Sequence, residues 1–330
     1  MTELTLREEI LDISRQNKIG QLSPWFSNQL DIQIKKEWFV KADDLRSDVL
    51  DPIVTRLTTY RTAAGVDTVV LGVSGGVDSA LTATLFKRAG WKVIGYALPI
   101  NQDPKETERG VEACKALGIE YHIIDLSKLY EAALEEIGEF DSGLLNNNSK
   151  AEKIRHGNIR ARLRMITLYN MASARGGLVA STDNFSELGA GFWTIHGDVG
   201  DVSPIQGLNK SWEVPMLSKL VGVPEATWRA TPTDGLGIDD GDEAQLGCSY
   251  LEWDLAVNYL MQAGASAKLC ELSHDAHAFA VIGKILQRMR GSWFKRMNPY
   301  TFEHPTDKNL KALREFEEAM NIIPAELQDA

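Results

Sequence analysis

The apolar positions of the chain fall into short dense runs and longer spaced ones. Thr68 to Val73, Val93 to Leu98 and Tyr121 to Leu126 are short and mostly apolar, the pattern of strands buried on both faces. Between them, Ser79 to Ala89 and Glu106 to Leu117 carry helical spacing, and Gly118 stops the second. A long helix is predicted from Ile154 to Ala174, followed by a fourth strand, Gly177 to Thr182, that ends in polar residues. Upstream, Leu45, Val49, Ile53, Leu57 and Tyr60 recur three or four apart and lead into Gly65, although Pro52 breaks or restarts that helix. Tyr250 to Ala263 and Ala276 to Met289 complete the helical set. Alternating strand, loop and helix predict an α/β fold whose parallel sheet is covered on both faces.

Residues 1–43 mix charge with Trp25, Phe26, Trp38 and Phe39 and have no clean period. They are set apart as an N-terminal extension that packs on the body or on a partner, leaving residues 44–330 as the main domain. After the fourth strand Gly189, Gly191, Gly197, Gly200 and Gly207 crowd together, and loops at the carboxyl ends of strands are where open sheets bind ligands. Thr231 to Gly241, rich in Gly, Pro and Asp, is expected to be a mobile, solvated loop.

Composition narrows the class. The 330 residues are 44% hydrophobic and 25% charged, enough to bury a full core. A net charge of -11 argues against a chain that coats nucleic acid or an anionic membrane. No apolar stretch approaches the ~18 residues of a membrane span. Cys114, Cys248 and Cys270 form no C-x-x-C pair, which points to neither a disulfide framework nor a zinc site, and to a reducing cytoplasm.

The chemistry sits after the first strand, in Ser74-Gly75-Gly76-Val77-Asp78-Ser79. A glycine turn entering a helix lets backbone N–H groups approach phosphate oxygens, and the helix dipole favours the anion. Ser74 and Ser79 add hydroxyls. Asp78 beside phosphates requires a divalent cation, so the loop implies magnesium (Mg2+). The plain alternative is a strand-to-helix turn with Ser and Asp caps. The loop lacks the lysine of a Walker A sequence and the third glycine of a dinucleotide fingerprint.

This loop resembles the pyrophosphate loop of the N-type ATP pyrophosphatases, a group that includes NAD, GMP and asparagine synthetases. The resemblance implies a Rossmann-like α/β architecture: a doubly wound, mostly parallel five-stranded sheet with helices on both faces. It also implies cleavage of ATP between its α and β phosphates and adenylation of a substrate oxygen. Ser181 to Phe192, then Gly197-Asp198-Val199-Gly200-Asp201 and Leu208-Asn209-Lys210, are similar to NAD synthetases in particular. That family implies ATP contacts from the loop, Thr182, Lys210 and Thr233, and a shared metal on Asp78 and Glu187. Asp198 is the expected residue for positioning or deprotonating the ammonium, and Lys210 for stabilising charge on the transferred phosphate.

Asn158 and Arg162, four apart on the long helix, share a face that the resemblance directs at deamido-NAD, together with Asp201 and Lys295. Arg155, Arg160 and Arg164 are expected to face solvent. The histidines form no convincing ligand set, with His122 in a predicted buried strand. Two positions depart from the family pattern: Ile195 stands where a lysine is usual, and Phe294-Lys295-Arg296 replaces His-Lys-Arg. The extension is far shorter than a glutaminase domain, so free ammonia is the expected nitrogen source. A homodimer with deamido-NAD partly at its interface is implied as well. A GMP synthetase-like amidotransferase and a non-catalytic nucleotide-binding module are the competing readings.

Overall fold

The computed structural model describes residues 5–146, 149–233, 241–264, 274–299 and 309–320. Three helices open the chain: α1 (Leu6–Ile13), α2 (Gln16–Ile19) and α3 (Pro24–Lys35). A π-helical turn over Arg46–Leu50 then feeds α4 (Asp51–Ala64), so Pro52 lies in a first turn, where its missing N–H costs nothing. Gly65, in the left-handed conformation, ends α4 as expected.

The α/β core follows: β1 (Thr68–Gly72), α5 (Val77–Arg88), β2 (Lys92–Ala97), α6 (Pro104–Leu117), β3 (Glu120–Ile123), α7 (Ser127–Gly138), α8 (Lys150–Ala174) and β4 (Leu178–Val179). Shorter helices come next: α9 (Phe185–Ala190), α10 (Glu213–Val221), α11 (Glu225–Trp228) and α12 (Asp242–Leu246). The last three are α13 (Tyr250–Ala263), α14 (Ala276–Ser292) and α15 (Asn309–Ala319).

All strand pairs are parallel, in the order β3-β2-β1-β4. Alternation along the strands separates two cores. Val69, Leu71 and Val93 pack with α5, while Val70, Ile94 and Tyr96 pack with Met165 and Leu168 of α8 on the other face. The sheet therefore has helices on both sides.

Two expectations are corrected. The sheet has four strands among the described residues, not five. Beyond β4 a single parallel bridge joins Ala180 to Val202. Side chains take over ladder positions there, with Val179 N–H donating to Asp201 Oδ2 (2.8 Å) and Gly200 N–H to Ser181 Oγ (2.9 Å). Pro204 follows two residues later and brings no N–H to extend a ladder. The second correction concerns β3, which is an edge strand, so His122 is exposed and pairs with Glu120 at 3.1 Å rather than being buried.

Residues 5–43 pack on the body. Phe26 and Phe39 are buried, Gln33 bonds Leu255 O of α13 (2.8 Å), and Trp212 Nε1 donates to Val40 O (2.7 Å).

Candidate active site

The strand order reverses between β1 and β4, so the segments leaving their carboxyl ends diverge and open a crevice. A cavity of about 290 Å3 lies there. The loop after β1 forms one wall. Gly75 has φ +83°, and a Cβ on it would fall 2.5 Å from Glu106 O and 3.1 Å from Gly110 N of α6. Glycine is thus required twice, for the turn and for the contact with α6. Gly76 caps α5, and its N–H is held by Ser74 Oγ (3.2 Å), while Ser79 Oγ donates to Gly76 O (3.1 Å). Val77 and Asp78 open the helix, so its N-terminal dipole faces the cavity that they line.

A second wall comes from the segment after β4. Asn184 caps α9 by accepting from Glu187 N (3.0 Å), and its Nδ2 donates to Asp78 Oδ1 (3.0 Å). One side chain therefore fixes the start of α9 and the acid of the opposite wall. Lys210 enters from the connection to α10. Its Nζ pairs with Asp78 Oδ2 and lies 3.6 Å from Glu187 Oε1, with the Tyr250 ring 5.7 Å away.

Burial disfavours the charge of Lys210, but Asp78 and Glu187 outweigh it and raise the ammonium pKa. Burial pushes the Glu187 carboxyl up to about 8, against the pull of Lys210 and with the help of Asp78. Asp198 lines the cavity and is exposed to it, with protein groups crowded around its carboxylate. That confinement raises its pKa, while a hydrogen bond from Thr194 N (2.5 Å) and the charge of Arg164 act the other way.

The structure brings together most of the residues expected to serve ATP and its metal, since Ser74, Gly76, Val77, Asp78, Ser79, Thr182, Glu187, Lys210 and Thr233 line the cavity, and Asp198, expected to serve the ammonium, lines it with them. Gly75 stands behind the loop against α6. The loop expected over Thr231 to Gly241 lies largely outside the described residues. The residues expected to face deamido-NAD are placed differently. Asn158 Oδ1 accepts from Thr194 Oγ1 (2.7 Å), and Arg162 Nε donates to Ile195 O (3.3 Å). Asp201 holds Tyr169 OH (2.9 Å) and Val179 N, and Lys295 Nζ donates to Gly191 O (2.7 Å) and Trp193 O. These four brace the rim of the cavity and do not line it.

Three arginines expected to face solvent part ways. Arg155 is exposed, Arg160 is buried beside Tyr130, and Arg164 lines the cavity, bonded to Leu98 O (3.0 Å) and Gln102 Oε1 (2.8 Å). Sequence reasoning also missed Asn184 and Arg109. The capping spacing of Asn184 and Glu187 is a signal that could have found the first as a helix cap, but nothing local points to its bond with Asp78.

A crevice at a switch point, walled by a glycine loop at a helix N-terminus and a lysine held by two acids, is the site of a nucleotide-binding α/β protein and agrees with the resemblance to the ATP pyrophosphatases. Comparison with known proteins is specific. The sequence matches the NAD synthase family over residues 49–299, and the chain belongs to that family. It is 37% identical to an NH(3)-dependent NAD(+) synthetase of Alkaliphilus oremlandii, over 61% of this chain and 81% of the relative. The same enzyme of Methanosarcina acetivorans is 34% identical over 72% of this chain and 90% of its own. Among solved structures, the NH3-dependent NAD synthetase of Campylobacter jejuni superimposes with a TM-score of 0.61 at 28% identity, covering 78% of this chain and 99% of that one. An NMN synthetase from Francisella tularensis gives a TM-score of 0.60 at 29% identity over 76% and 92%. Family membership makes the chain an ATP-dependent ligase of NAD synthesis.

Proposed function

We propose that this cavity adenylates and then amidates a nicotinate carboxylate. The carboxylate oxygen of deamido-NAD attacks the α-phosphorus of ATP, the bond to the β-phosphate oxygen breaks, and pyrophosphate leaves. Ammonia then attacks the acyl carbon, AMP departs with its oxygen, and the amide of NAD remains. The observation that carries this reading is the convergence of Asp78, Glu187 and Lys210 beside the glycine loop.

The loop amides and the hydroxyls of Ser74 and Ser79 take the phosphates, with Thr182 and Thr233 on the nucleotide. Lys210 supports the charge that gathers on the phosphoryl oxygens. Asp198 attracts ammonium and accepts the proton it sheds, and desolvation, which raises its pKa above the ordinary carboxylate value, makes it the better proton acceptor. Asn158, Arg162, Asp201 and Lys295 shape the rim against which deamido-NAD lies.

The donor set fits magnesium. Asp78 and Glu187 converge on the Lys210 ammonium, and two hard carboxylates beside a phosphate loop are the oxygen donors that magnesium takes. Asp78 and Glu187 would hold it, and when bound it supplies charge neutralisation to the phosphates. The free, buried thiols of Cys114 and Cys248 suit a reducing cytoplasm. A homodimer is assigned by resemblance, and Ile166 of α8, 66% exposed, offers a second copy apolar surface.

A second reading concerns the acid substrate. Ile195 removes a cation from the dinucleotide side, and one structural neighbour is an NMN synthetase. The mononucleotide that carries the same nicotinate is therefore the alternative. Purified protein with ATP, magnesium and ammonium is given either acid, and amide and AMP are quantified. Equal yields of NAD and AMP, with deamido-NAD the better substrate by kcat/KM, are expected. Preference for the mononucleotide selects the second reading, and absence of AMP with both removes the adenylating one.

A further inference from the structure

The cavity wall carries three cations, Arg109, Arg164 and Lys210, against six carboxyl groups, so a triphosphate enters a site short of positive charge. Two of the cations are engaged. Lys210 is held by Asp78 and Glu187, and Arg164 by Leu98 O and Gln102. Arg109 is different. It reaches the loop from α6, half-buried, and its Nε donates to Gly75 O at 2.8 Å, its one hydrogen bond to a described residue. That bond sets the plane of the guanidinium against the loop and leaves both Nη groups for a ligand.

The position is rigid. α6 touches the loop backbone to backbone, since a Cβ on Gly110 would fall 2.9 Å from Val73 O and 3.1 Å from Gly75 N. A planar fork of N–H donors fixed beside a phosphate loop matches phosphate oxygens in pairs, with charge-assisted bonds.

We infer that Arg109 binds the β- and γ-phosphates of ATP and stays with pyrophosphate as it leaves. The inference deepens the adenylating reading and rests on it. Lys210 approaches the loop from the connection between α9 and α10, whereas Arg109 approaches from α6, so the two cations flank the leaving group from different walls.

The test is calorimetric binding of magnesium-ATP, pyrophosphate and AMP to the wild type and to R109A, R109K and R109Q, with thermal unfolding measured in parallel. Glutamine keeps an N–H donor for Gly75 O but no charge. Lysine keeps the charge but not the fork. R109A and R109Q are expected to weaken ATP and pyrophosphate about tenfold or more, with R109K between them and the wild type and AMP unchanged throughout. If R109Q binds ATP like the wild type, or AMP weakens as much as ATP, Arg109 only braces the loop and the inference fails. A wild type that binds neither ATP nor pyrophosphate overturns the adenylating reading as well.

Discussion

The two halves of the cavity are built on different principles. On the ATP side, Asp78, Glu187 and Lys210 come from three segments and concentrate charge at one point. On the side we propose for deamido-NAD, Asn158, Arg162, Asp201 and Lys295 spend polar atoms on the chain itself, mainly on backbone groups. In the proposed function the first half acts by electrostatics and the second by shape. Substitutions on the first should act on turnover and magnesium dependence, and on the second on stability and on the KM of the acid substrate.

Removing the central cation gives the largest expected effect. Lys210→Met should lower the rate of NAD formation on the order of 100-fold, the scale of losing a positioned charge at a phosphoryl group. A variant within a few-fold of the wild type would make Lys210 a structural counter-ion only. Asp78→Asn and Glu187→Gln should each lose roughly tenfold or more in rate, with part regained as magnesium is raised. Loss with no such recovery in a magnesium titration would separate these acids from the metal.

Glu213 sharpens the comparison through pH. Burial pushes its carboxyl up to about 7, opposed by the N–H of Asn209, the residue before Lys210. A group held more tightly protonated in the fold contributes stability at low pH, and that contribution is lost as pH rises through about 7. Both Asn209 donors bond one oxygen, Oε2, at 2.9 and 2.8 Å, which a glutamine oxygen can replace. Glu213→Gln should therefore match the wild type in urea unfolding near pH 4.5 and exceed it by on the order of 2 kcal/mol above pH 7. An advantage that shrinks with rising pH would reverse the sign.

The smallest effect belongs to the rim. Asp201→Asn weakens the brace on Tyr169 and on Val179 N–H and should cost about 1 kcal/mol of stability. Its KM for ATP should stay unchanged while that for the acid substrate rises. A kcat loss as large as that of Lys210→Met would erase the distinction between the halves.

Much of the ATP half was legible because its signals are local. Strand, glycine turn and helix follow one another within Thr68 to Arg88, and the spacing of Gly75, Gly76 and Asp78 reports the turn directly. The strands were placed nearly where they form, but the fifth was not foreseen to shrink to a bridge, because Ser181 and Asp201 side chains compete for the same backbone groups. Arg162 and Arg164 differ by two positions on one helix. Only the docking of α8 against the sheet sends Arg164 into the cavity and leaves Arg162 on the rim.

The sequence by itself determined the alternation of elements, the phosphate loop and the family pattern, since each rests on neighbours along the chain. The tertiary structure alone decided which charges meet. Asp78 and Lys210 are 132 residues apart, and Arg109 reaches a loop 34 residues before it. Such pairings depend on strand order and helix docking, and no local periodicity encodes the distance between side chains that only the folded sheet brings to the same crevice.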